Sequence, residues 1–500
     1  MMDQVASNGV ADTPTSTTVR LSRPDPLAGG IGTGSRGIAA AVAEPRHQKA
    51  GHHAGATAGA ERTREQHLQG DPLRVLLTGG TGLIGKALAE RLERYGHEVI
   101  LGVRDEAEAS RHQPGMRFVQ FDFTRRPEAS FAEFLADVDV VVNAVGIFDE
   151  TSRQSFDEIH VKGPCILFEL AAWAGVSRII QISALGAELH AETRYWRSKA
   201  RGDRCAKAFA GTSVVVRPSL VYAPLGRSSQ LFHRLAVLPW LPWPAATADV
   251  QPIHLDDLVD GVVALLKHPD PPPVIAAVGP LALSMSAYLR LLSPEPEKAL
   301  RMSRVPMRVA LLLARRLQKW PGNSINADAL RMLAHPNTAE AAPWADLLGR
   351  PLRRPEHFVE PTRRQQAYQL AVLSNMLPLL RLSISLTWLV TAWVSAFAYP
   401  QAASIELLVR AQVPLPLAPL ALYAAALLDA ALALAMWIRR WRRGVYLLQI
   451  GLILVYSLII SLWLPEFWAH PYGPMIKNLP MLALTTLLLW LESPHGHRVR

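Results

Sequence analysis

The sequence predicts a two-part fold: an α/β domain built on a doubly wound parallel sheet, followed by an all-α four-helix transmembrane bundle. Short apolar runs alternate with amphipathic helical segments from Leu73 onwards, which is the pattern of βαβ units. Long apolar segments then dominate the chain after Arg364. With 500 residues, the chain is long enough to form more than one hydrophobic core.

Residues 1–70 are predicted to be a disordered, low-complexity tail. They are rich in Ala, Gly, Ser, Thr, Pro and His and show no apolar periodicity. Such a segment cannot bury enough apolar surface to offset the entropy lost on ordering. It also lacks the continuous apolar stretch of a signal peptide.

Charge and cysteine content exclude several classes of function. The formal net charge is +10, but no basic stripe with interleaved aromatic residues accompanies it, so we expect no nucleic-acid partner. The two cysteines, Cys165 and Cys205, offer neither a disulfide framework nor zinc-ligand spacing, and we expect no metal. This cysteine usage fits a reducing compartment such as the cytoplasm.

Residues 71–360 are predicted to form the α/β domain. Its first strand is the apolar run at residues 74–77, which leads into a glycine-rich turn. Further strands are expected at His97–Val103, Met116–Phe121, Val138–Ala144, Arg178–Ile182 and Ser213–Arg217, with helices at Lys86–Tyr95, Phe156–Ala174 and Arg197–Ala210. After residue 280 the pattern becomes mostly helical and proline-interrupted, which we assign to a smaller, substrate-side part of the same domain.

Residues 361–378 are predicted to be a linker or interfacial helix, and residues 379–500 a four-span membrane domain. The apolar segments are Leu382–Tyr399, Leu417–Ile438, Gly444–Leu464 and Pro474–Leu491. About 20 helical residues cross a hydrocarbon core of about 30 Å, so three segments are long enough and the fourth is short. A buried soluble bundle would show a polar face, which these segments lack.

The arginines predict the orientation of the spans. Basic residues precede the first span, fill the turn between the second and third, and follow the fourth: Arg363, Arg364, Arg439, Arg440, Arg442, Arg443, His495, His497, Arg498 and Arg500. All three groups fall on one side, which the positive-inside rule assigns to the cytoplasm. We therefore expect a multi-pass protein of the cell (inner) membrane, with both termini and the α/β domain cytoplasmic.

A glycine-rich turn follows the first strand and is the most informative stretch of the sequence. Its residues are Thr78, Gly79, Gly80, Thr81, Gly82, Leu83, Ile84 and Gly85. The three spaced glycines allow a tight turn, a close approach of the backbone to a pyrophosphate and close packing of helix on strand. Because the turn opens a helix, free N–H groups and the positive dipole end face the anion. The turn thus predicts a Rossmann-type dinucleotide site.

The end of the second strand indicates which dinucleotide binds. A site for NAD usually places a carboxylate there to hold the ribose 2′-hydroxyl, but Val103 occupies that place and Arg104 follows. A guanidinium suits a 2′-phosphate, so NADP(H) is favoured and NAD(H) remains the alternative. Asp105 is either a ribose ligand or a loop carboxylate.

Together these motifs resemble the short-chain dehydrogenase/reductase superfamily, in its extended and atypical branches, over roughly residues 72–360. The resemblance implies an adenine contact by Asp122 and a late motif at residues 252–258 near the substrate mouth. It also implies that strand ends four and six line the cofactor, through Asn143, Ala144, Val145, Gly146, Arg217 and Pro218.

The resemblance supplies a catalytic set of Ser183, Tyr195 and Lys199, the last two as a YxxxK motif. Residues four apart share a helix face, and an ammonium beside a phenol is expected to lower the phenol pKa. Tyr195 is then the general acid/base, Lys199 holds the nicotinamide ribose, and Ser183 bonds the reacting oxygen. Hydride transfer belongs to the cofactor.

His160 stands where the family often has Asn, and it either joins a proton relay or simply packs. The sequence Ser-Ala-Leu-Gly-Ala, beginning at Ser183, is most similar to the atypical branch that includes the complex I 39 kDa-type subunit. That resemblance implies NADPH binding without established turnover, which leaves enzyme status open.

The membrane part resembles the DoxX-like family of four-span proteins, through residues 464–474 and 477–480. Asp429 lies midway along the second span, where a lone carboxylate is costly and needs a partner. Gln449, Tyr456 or Ser457 is expected to supply it. A Trp-rich loop at residues 238–244 either covers an apolar substrate, touches the bilayer interface or packs as an ordinary loop.

Three functions follow from these observations. The first is a membrane-anchored NADP(H)-dependent oxidoreductase acting on an apolar carbonyl, alcohol or quinone-like substrate from the bilayer. The second is a non-catalytic NADP(H)-binding module of a membrane-protein complex or homo-oligomer. The third is an NAD-dependent epimerase or dehydratase, against which Arg104 argues.

Overall fold

The computed structural model describes residues 71–492, except 126, 128, 298–299, 318–326 and 472. The tail at residues 1–70 and the basic residues after the fourth apolar segment therefore lie outside the described part. Predictions about these two segments stay predictions.

A seven-stranded parallel sheet forms the centre of the first domain, with strand order β10-β6-β5-β4-β1-β2-β3. Its apolar strand residues, such as Leu76 and Val142, are fully buried because helices cover both faces. This confirms the predicted doubly wound fold. The strands are β1 Arg74–Thr78, β2 Glu98–Val103, β3 Arg117–Gln120, β4 Val140–Asn143, β5 Arg178–Ile182, β6 Thr212–Pro218 and β10 Val274–Ala277.

The helices that flank the sheet start where the sequence supplies N-terminal signals. Asp105 caps the second helix by accepting a hydrogen bond from the Glu108 N–H, and Thr193 caps the fifth in the same way through Trp196. The helices are α1 Leu83–Arg94, α2 Glu106–His112, α3 Ala129–Leu135, α4 Gly163–Trp173, α5 Arg194–Lys207, α6 Arg227–Ala236 and α7 Leu255–Lys267. A π-helical turn at Glu158–Lys162 precedes α4.

The remainder of this domain forms a smaller part beside the carboxyl ends of the strands. Two short parallel pairs occur there, β7 with β9 and β8 with β11. Its elements are β7 Val221–Tyr222, β8 Leu241–Pro244, β9 Ile253–His254, α8 Met285–Leu292, β11 Met302–Val305, α9 Met307–Leu317, α10 Ala327–Met332 and α11 Ala342–Leu348. Tyr288 and Leu289 on α8 anchor its apolar core.

The membrane part is helical. Among the described residues, three helices are long and apolar enough to cross a bilayer, and a fourth apolar helix has 14 residues. The predicted linker at residues 361–378 is continuous with the first span in a single helix. The helices are α12 Pro361–Trp393, α13 Gln401–Arg410, α14 Ala418–Ala435, α15 Arg442–Trp463 and α16 Asn478–Leu491.

The arginine-rich turn between α14 and α15 lies at the end of the bundle that faces the α/β domain. Glu492, after α16, accepts hydrogen bonds from Arg381 on α12 at 2.7 Å and from Arg442 at 3.3 Å. Trp437 donates to Ser385 from the same turn. Since α12 enters the bundle from the α/β domain, that domain and the arginines share one side.

The two cysteines correct one expectation from the sequence. Cys165 on α4 and Cys205 on α5 are joined in a disulfide, with their Cα atoms 5.1 Å apart. Spacing along the chain could not reveal this pair because the two helices become neighbours only after the sheet forms.

Candidate functional site

The glycine-rich turn adopts the geometry that a dinucleotide requires. Gly79 has a φ of +79°, and a Cβ there would lie 2.7 Å from the Ala144 carbonyl carbon. A Cβ on Gly85 would lie 2.1 Å from the Gly79 oxygen, so only glycine allows α1 to pack this closely on β1. Thr81, Gly82 and Leu83 are exposed beyond this close packing.

The N-terminus of α1 is open towards the surface of the turn. Gly82 is its N-cap and provides no side chain to satisfy the first N–H groups. The Ile84 side chain packs against the main core, which fixes the direction of the helix. The open N–H groups and the helix dipole fit a bound pyrophosphate.

At the end of β2, the two candidate nucleotide ligands have different surroundings. Asp105 uses its carboxylate to cap α2, at 2.9 Å from the Glu108 nitrogen. Arg104 is exposed, and within the described part of the chain its guanidinium has no protein partner. The structure therefore leaves the cation available and engages the carboxylate.

Two predicted cofactor residues have side chains that brace the sheet. Thr78 donates a hydrogen bond to the Asn143 amide oxygen at 2.8 Å, and Asn143 donates to Gln181 at 2.7 Å. All three side chains are almost completely buried. The side chains of Thr78 and Asn143 thus link β1, β4 and β5.

Three further predicted cofactor residues are also engaged within the protein. Asp122 accepts hydrogen bonds from the backbone and hydroxyl of Thr124 at 2.9 and 2.8 Å, in a local turn after β3. Arg217 on β6 pairs with Asp203 of α5 at 3.0 Å, and Pro218 is buried. The Arg217 guanidinium is thus already paired with Asp203, so its presence at this strand end does not require a bound ligand.

Ser183, Tyr195 and Lys199 lie at the carboxyl ends of the central strands. Ser183 follows β5, and its buried hydroxyl has no hydrogen-bond partner among the described residues. Lys199 donates to the carbonyl of Ile182, the preceding residue, at 2.7 Å. Tyr195 lies one turn before Lys199 on α5, and Ala184 packs in its cluster. The structure therefore places the predicted catalytic set at the carboxyl edge of the sheet, where the glycine-rich turn also lies, with β4 between them.

The electrostatics of this set differ from the expectation. Burial raises the pKa of Tyr195, and the carboxylate of Asp203 adds to the rise. Burial lowers the pKa of Lys199 to about 8, while Asp203 opposes that fall. The expected lowering of the Tyr195 pKa is wrong because desolvation dominates, so the phenol is held in its protonated form.

His160 is a positioning residue in this structure. Its Nε2 accepts a hydrogen bond from the Ile147 N–H at 3.0 Å, so Nδ1 carries the proton and donates to Ser198 Oγ at 2.8 Å. Ser198 in turn donates to the Tyr195 carbonyl at 2.7 Å. Burial lowers the pKa of His160 to about 2. Both ring nitrogens are occupied, which removes His160 from direct proton transfer to a substrate.

Aromatic residues that the sequence did not single out form one wall of the site. Phe148 stacks on Tyr195 with ring centroids 4.8 Å apart, yet 68% of it is exposed. Phe156 and Met332 pack in the same cluster. The available signal in the sequence was an apolar ring in the loop after β4, because that strand end faces the cofactor side.

The late motif at residues 252–258 serves mainly to begin α7. His254 accepts a hydrogen bond from the Asp256 N–H, and Asp257 is completely buried and paired with Arg350 at 2.6 Å. In the Trp-rich loop, Trp240 is 58% exposed and Trp243 packs partly buried against the α8 core. The motif at residues 252–258 therefore begins α7 and ties it to Arg350 in the segment after α11.

Family models match both parts of the chain. Residues 75–279 match the NAD dependent epimerase/dehydratase family, and residues 385–486 match the DoxX-like family. The chain joins an NAD-dependent epimerase/dehydratase-type domain to a DoxX-like domain. This composition confirms the resemblance inferred from the glycine-rich turn and from the apolar segments.

The curated relatives of this chain include subunits of respiratory NADH dehydrogenases and a ceramide reductase. The 40 kDa subunit of NADH-ubiquinone oxidoreductase from Neurospora crassa is 26% identical over 280 residues, covering 54% of this chain and 73% of the subunit. Alpha subcomplex subunit 9 of mouse NADH dehydrogenase is 27% identical, covering 38% of this chain and about half of the subunit, 52%. Ceramide reductase from Caulobacter vibrioides is 27% identical, covering 39% of this chain and 61% of the enzyme.

Among solved structures, the chain is similar to a nucleoside-diphosphate-sugar epimerase from Staphylococcus aureus. The identity is 18%, the match covers 57% of this chain and 99% of the epimerase, and the TM-score is 0.46.

Proposed function

We propose that this protein is a membrane-anchored, NADPH-dependent reductase that acts on the carbonyl group of a lipophilic substrate. The observation that supports the proposal is that Ser183, Tyr195 and Lys199 lie at the same carboxyl edge of the sheet as the glycine-rich turn, next to the exposed ring of Phe148. Each of these features has a specific task in carbonyl reduction.

The residues of the site suit the reductive direction. Bound NADPH supplies hydride to the carbonyl carbon. The Ser183 hydroxyl, which has no partner among the described residues, is free to donate a hydrogen bond to the carbonyl oxygen. Tyr195, whose pKa is raised by burial, keeps its proton until the oxygen gains negative charge and then donates it. Lys199 holds its place through Ile182 and, in its ammonium form, stabilises the resulting phenolate.

The preference for NADPH rests on the end of β2. Arg104 is exposed and without a protein partner in the described residues, whereas the Asp105 carboxylate is used to cap α2. A guanidinium there provides paired, charge-assisted hydrogen bonds for a 2′-phosphate.

We expect Arg104→Ala to weaken NADPH binding by about tenfold or more, since hydrogen bonds to charged groups contribute about 1.5–3 kcal/mol. NADH binding should stay unchanged.

The membrane domain supports a lipophilic substrate. The α/β domain and the membrane helices are joined by one continuous helix, α12. The relative from Caulobacter vibrioides is named for its action on ceramide, a lipid. A substrate of this kind would fit the wall formed by Phe148 and Phe156.

The proposal is tested with the full chain in nanodiscs. NADPH consumption is followed with long-chain carbonyl lipids and quinones, and cofactor binding is titrated separately. Tyr195→Phe should lower turnover by about 10²–10⁴-fold while NADPH still binds, because only the transferable proton is lost. Turnover that survives in Tyr195→Phe would remove the catalytic role.

A second candidate function is a non-catalytic NADP(H)-binding module. It is favoured by the similarity to the Neurospora crassa and mouse subunits of complex I and by the fully bonded ring of His160. In that case the bound cofactor would stabilise a membrane assembly. Undiminished function in Tyr195→Phe together with loss of assembly in a cofactor-binding variant such as Gly85→Ala would favour this alternative.

We further propose that the protein lies in the cell (inner) membrane, with the arginine-rich end of the bundle facing the cytoplasm. The α/β domain is then cytoplasmic as well. Arg439, Arg440, Arg442 and Arg443 share this end with the α/β domain. Cysteines introduced at Arg440 and at Glu406, on the opposite end, should react with an impermeant reagent from opposite sides of sealed vesicles.

A further inference from the structure

Helix α9 exposes an apolar stripe that the fold leaves uncovered. Val309, Leu312 and Leu313 are 45%, 57% and 53% exposed, whereas Ala314 on the inner side is only 2% exposed. Residues three and four apart share a helix face, so the three apolar residues form one outward stripe. A water-facing helix of a globular domain would carry polar residues at these positions.

Basic residues surround this stripe. Residues 301–317 contain five arginines and no acidic residue. All five are exposed: Arg301, Arg304, Arg308, Arg315 and Arg316. A short helix with an apolar stripe and basic flanks is typical of elements that lie in the headgroup region of an anionic bilayer.

The position of α9 in the fold ties it to the membrane end of the α/β domain. β11, which leads into α9, pairs with β8, and β8 follows α6. On α6, Arg234 exchanges two hydrogen bonds with Asn375 of α12, at 3.0 and 2.8 Å. Asn375 is six residues before Arg381, or about 9 Å along the helix, and Arg381 meets Glu492 at the arginine-rich end of the bundle.

A tryptophan at the start of β8 belongs to the same part of the molecule. Trp240 is 58% exposed, and the next residue, Leu241, donates its N–H to the Arg301 carbonyl at 2.9 Å. Tryptophan is enriched where protein meets the bilayer interface. We propose that α9, together with Trp240, is a docking surface for the anionic face of the lipid bilayer, separate from the transmembrane helices.

This docking surface adjoins the candidate site. α9 packs against α10, and Met332 of α10 contacts the cluster of Tyr195 and Trp196. Arg331, also on α10, pairs with Glu192 just before α5 at 3.5 Å. The inference does not rest on the proposed reductase activity, since a non-catalytic module would dock in the same way.

The test places a fluorophore on α9 of the full chain. Leu312→Cys is made with Cys165 and Cys205 replaced by serine, labelled with an environment-sensitive dye and reconstituted into nanodiscs. The discs contain either phosphatidylcholine alone or a mixture with phosphatidylglycerol, each with an acyl-chain quencher. Trp173→Cys, at an 81% exposed position at the end of α4, is the labelled control.

We expect quenching and a blue-shifted emission at position 312, stronger in the anionic discs, and neither effect at position 173. Exchanging Arg308, Arg315 and Arg316 for glutamate should remove most of the quenching, whereas Arg94→Glu on α1 should not. A dye at 312 that stays unquenched in both lipids would overturn the proposal. A blue-shifted but unquenched emission at position 312 that increases with protein concentration would also overturn the proposal. It would mean that a second copy of the chain covers the apolar stripe.

Discussion

At the scale of single residues, His160 shows how a polar side chain can serve a site without touching a substrate. Its ring joins the loop after β4 to α5 through the Ile147 N–H and Ser198. The π-helical turn at Glu158–Lys162 aims it there, and such turns are frequent at functional sites. The ring is 1% exposed, so both bonds are made without competition from water.

His160→Leu should lower the free energy of unfolding by about 1–3 kcal/mol, because the Ile147 N–H and the Ser198 hydroxyl lose their partner. Turnover should fall without any new pH dependence between pH 5 and 8, since the pKa of His160 is lowered to about 2. Thermal unfolding and a pH–rate profile check both points. His160→Asn, which restores the residue type often found in the family, should recover part of the stability. A His-dependent limb in the wild-type profile would contradict the assigned role.

Lys199 predicts the pH dependence of the candidate reaction. Burial lowers its pKa to about 8, so the stabilising ammonium is present below that pH and is lost as pH rises through it. We expect kcat/KM to fall on the alkaline side with an apparent pKa near 8. In Lys199→Arg, which keeps its charge, the alkaline limb should move upward even if the rate is lower. A limb at the same pH in both proteins would assign it to another group.

The sequence predicted that a glycine-rich turn opens α1 and that Tyr195 and Lys199 share one helix, because both are local patterns. The roles assigned to these residues stay predictions. The sequence did not predict the surroundings of Thr78, Asn143 and Arg217, whose partners lie on other strands or on a neighbouring helix. Asn143 and Gln181, for example, are 38 residues apart and meet only across paired strands. The side of a strand end that a side chain faces depends on such partners, which no local spacing encodes.

At the scale of elements, a buried ion network fastens α1 and α7 to the segment after α11. Asp257 is completely buried, pairs with Arg350 and accepts the Arg353 N–H at 2.7 Å. Asp260 pairs with Arg91 of α1 and with Arg350. Removing one member leaves its partner charged and buried, which costs more than the loss of a surface pair.

Asp257→Asn should therefore destabilise the domain by about 3–5 kcal/mol. Asp256→Asn is the matched control: it is the preceding residue, it also pairs with Arg353, and its side chain is 38% exposed. That change should cost less than about 1 kcal/mol. Thermal unfolding in detergent would show the difference as separate shifts in Tm. Equal shifts would mean that burial does not govern this network.

In the membrane bundle, Asp429 and Gln449 are buried with polar atoms that have no partner among the described residues. Among the described residues, Asp429 forms no hydrogen bond with any of its three expected partners, Gln449, Tyr456 and Ser457, and Ser457 is bonded to Asn478 instead. Since unpaired polar atoms in hydrocarbon are costly, Gln449→Leu should leave Tm unchanged or raise it. A lower Tm would show that Gln449 forms a hydrogen bond.

Asp429→Asn tests whether the carboxylate of Asp429 is functional. A variant that keeps full assembly and activity would exclude that role.

At the scale of the whole molecule, composition and periodicity predicted an α/β domain followed by a helical membrane domain. Apolar length predicted the membrane helices, and the positions of the arginines predicted that one bundle end shares a side with the α/β domain. Helix α13, the disulfide between Cys165 and Cys205 and the exposed stripe on α9 were not foreseen. The stripe was missed because only the folded structure shows which face of an amphipathic helix is already covered.

Two contacts hold the α/β domain against the first membrane helix, and they are well suited to aligning the site with the bilayer. Arg364 at the start of α12 donates to the carbonyls of Leu291 and Ser293 at the end of α8. Asn375 exchanges hydrogen bonds with Arg234 of α6. Because α12 continues without a break into the membrane, both contacts fix the height of the site above the lipid.

Asn375→Leu should remove two hydrogen bonds, one of them to a charged group, and loosen this alignment at a cost of about 1.5–3 kcal/mol. For a reductase fed from the bilayer, KM for a long-chain lipid substrate should rise about tenfold, as 1.4 kcal/mol changes an equilibrium tenfold. A short, water-soluble analogue reaches the site without the bilayer, so its kinetics should stay unchanged. Arg363→Ala is the control, because Arg363 is next to Arg364 but pairs, among the described residues, only with the exposed Glu360. An equal loss for both substrates would instead place the defect in the site itself, because alignment affects only the substrate that arrives through the membrane.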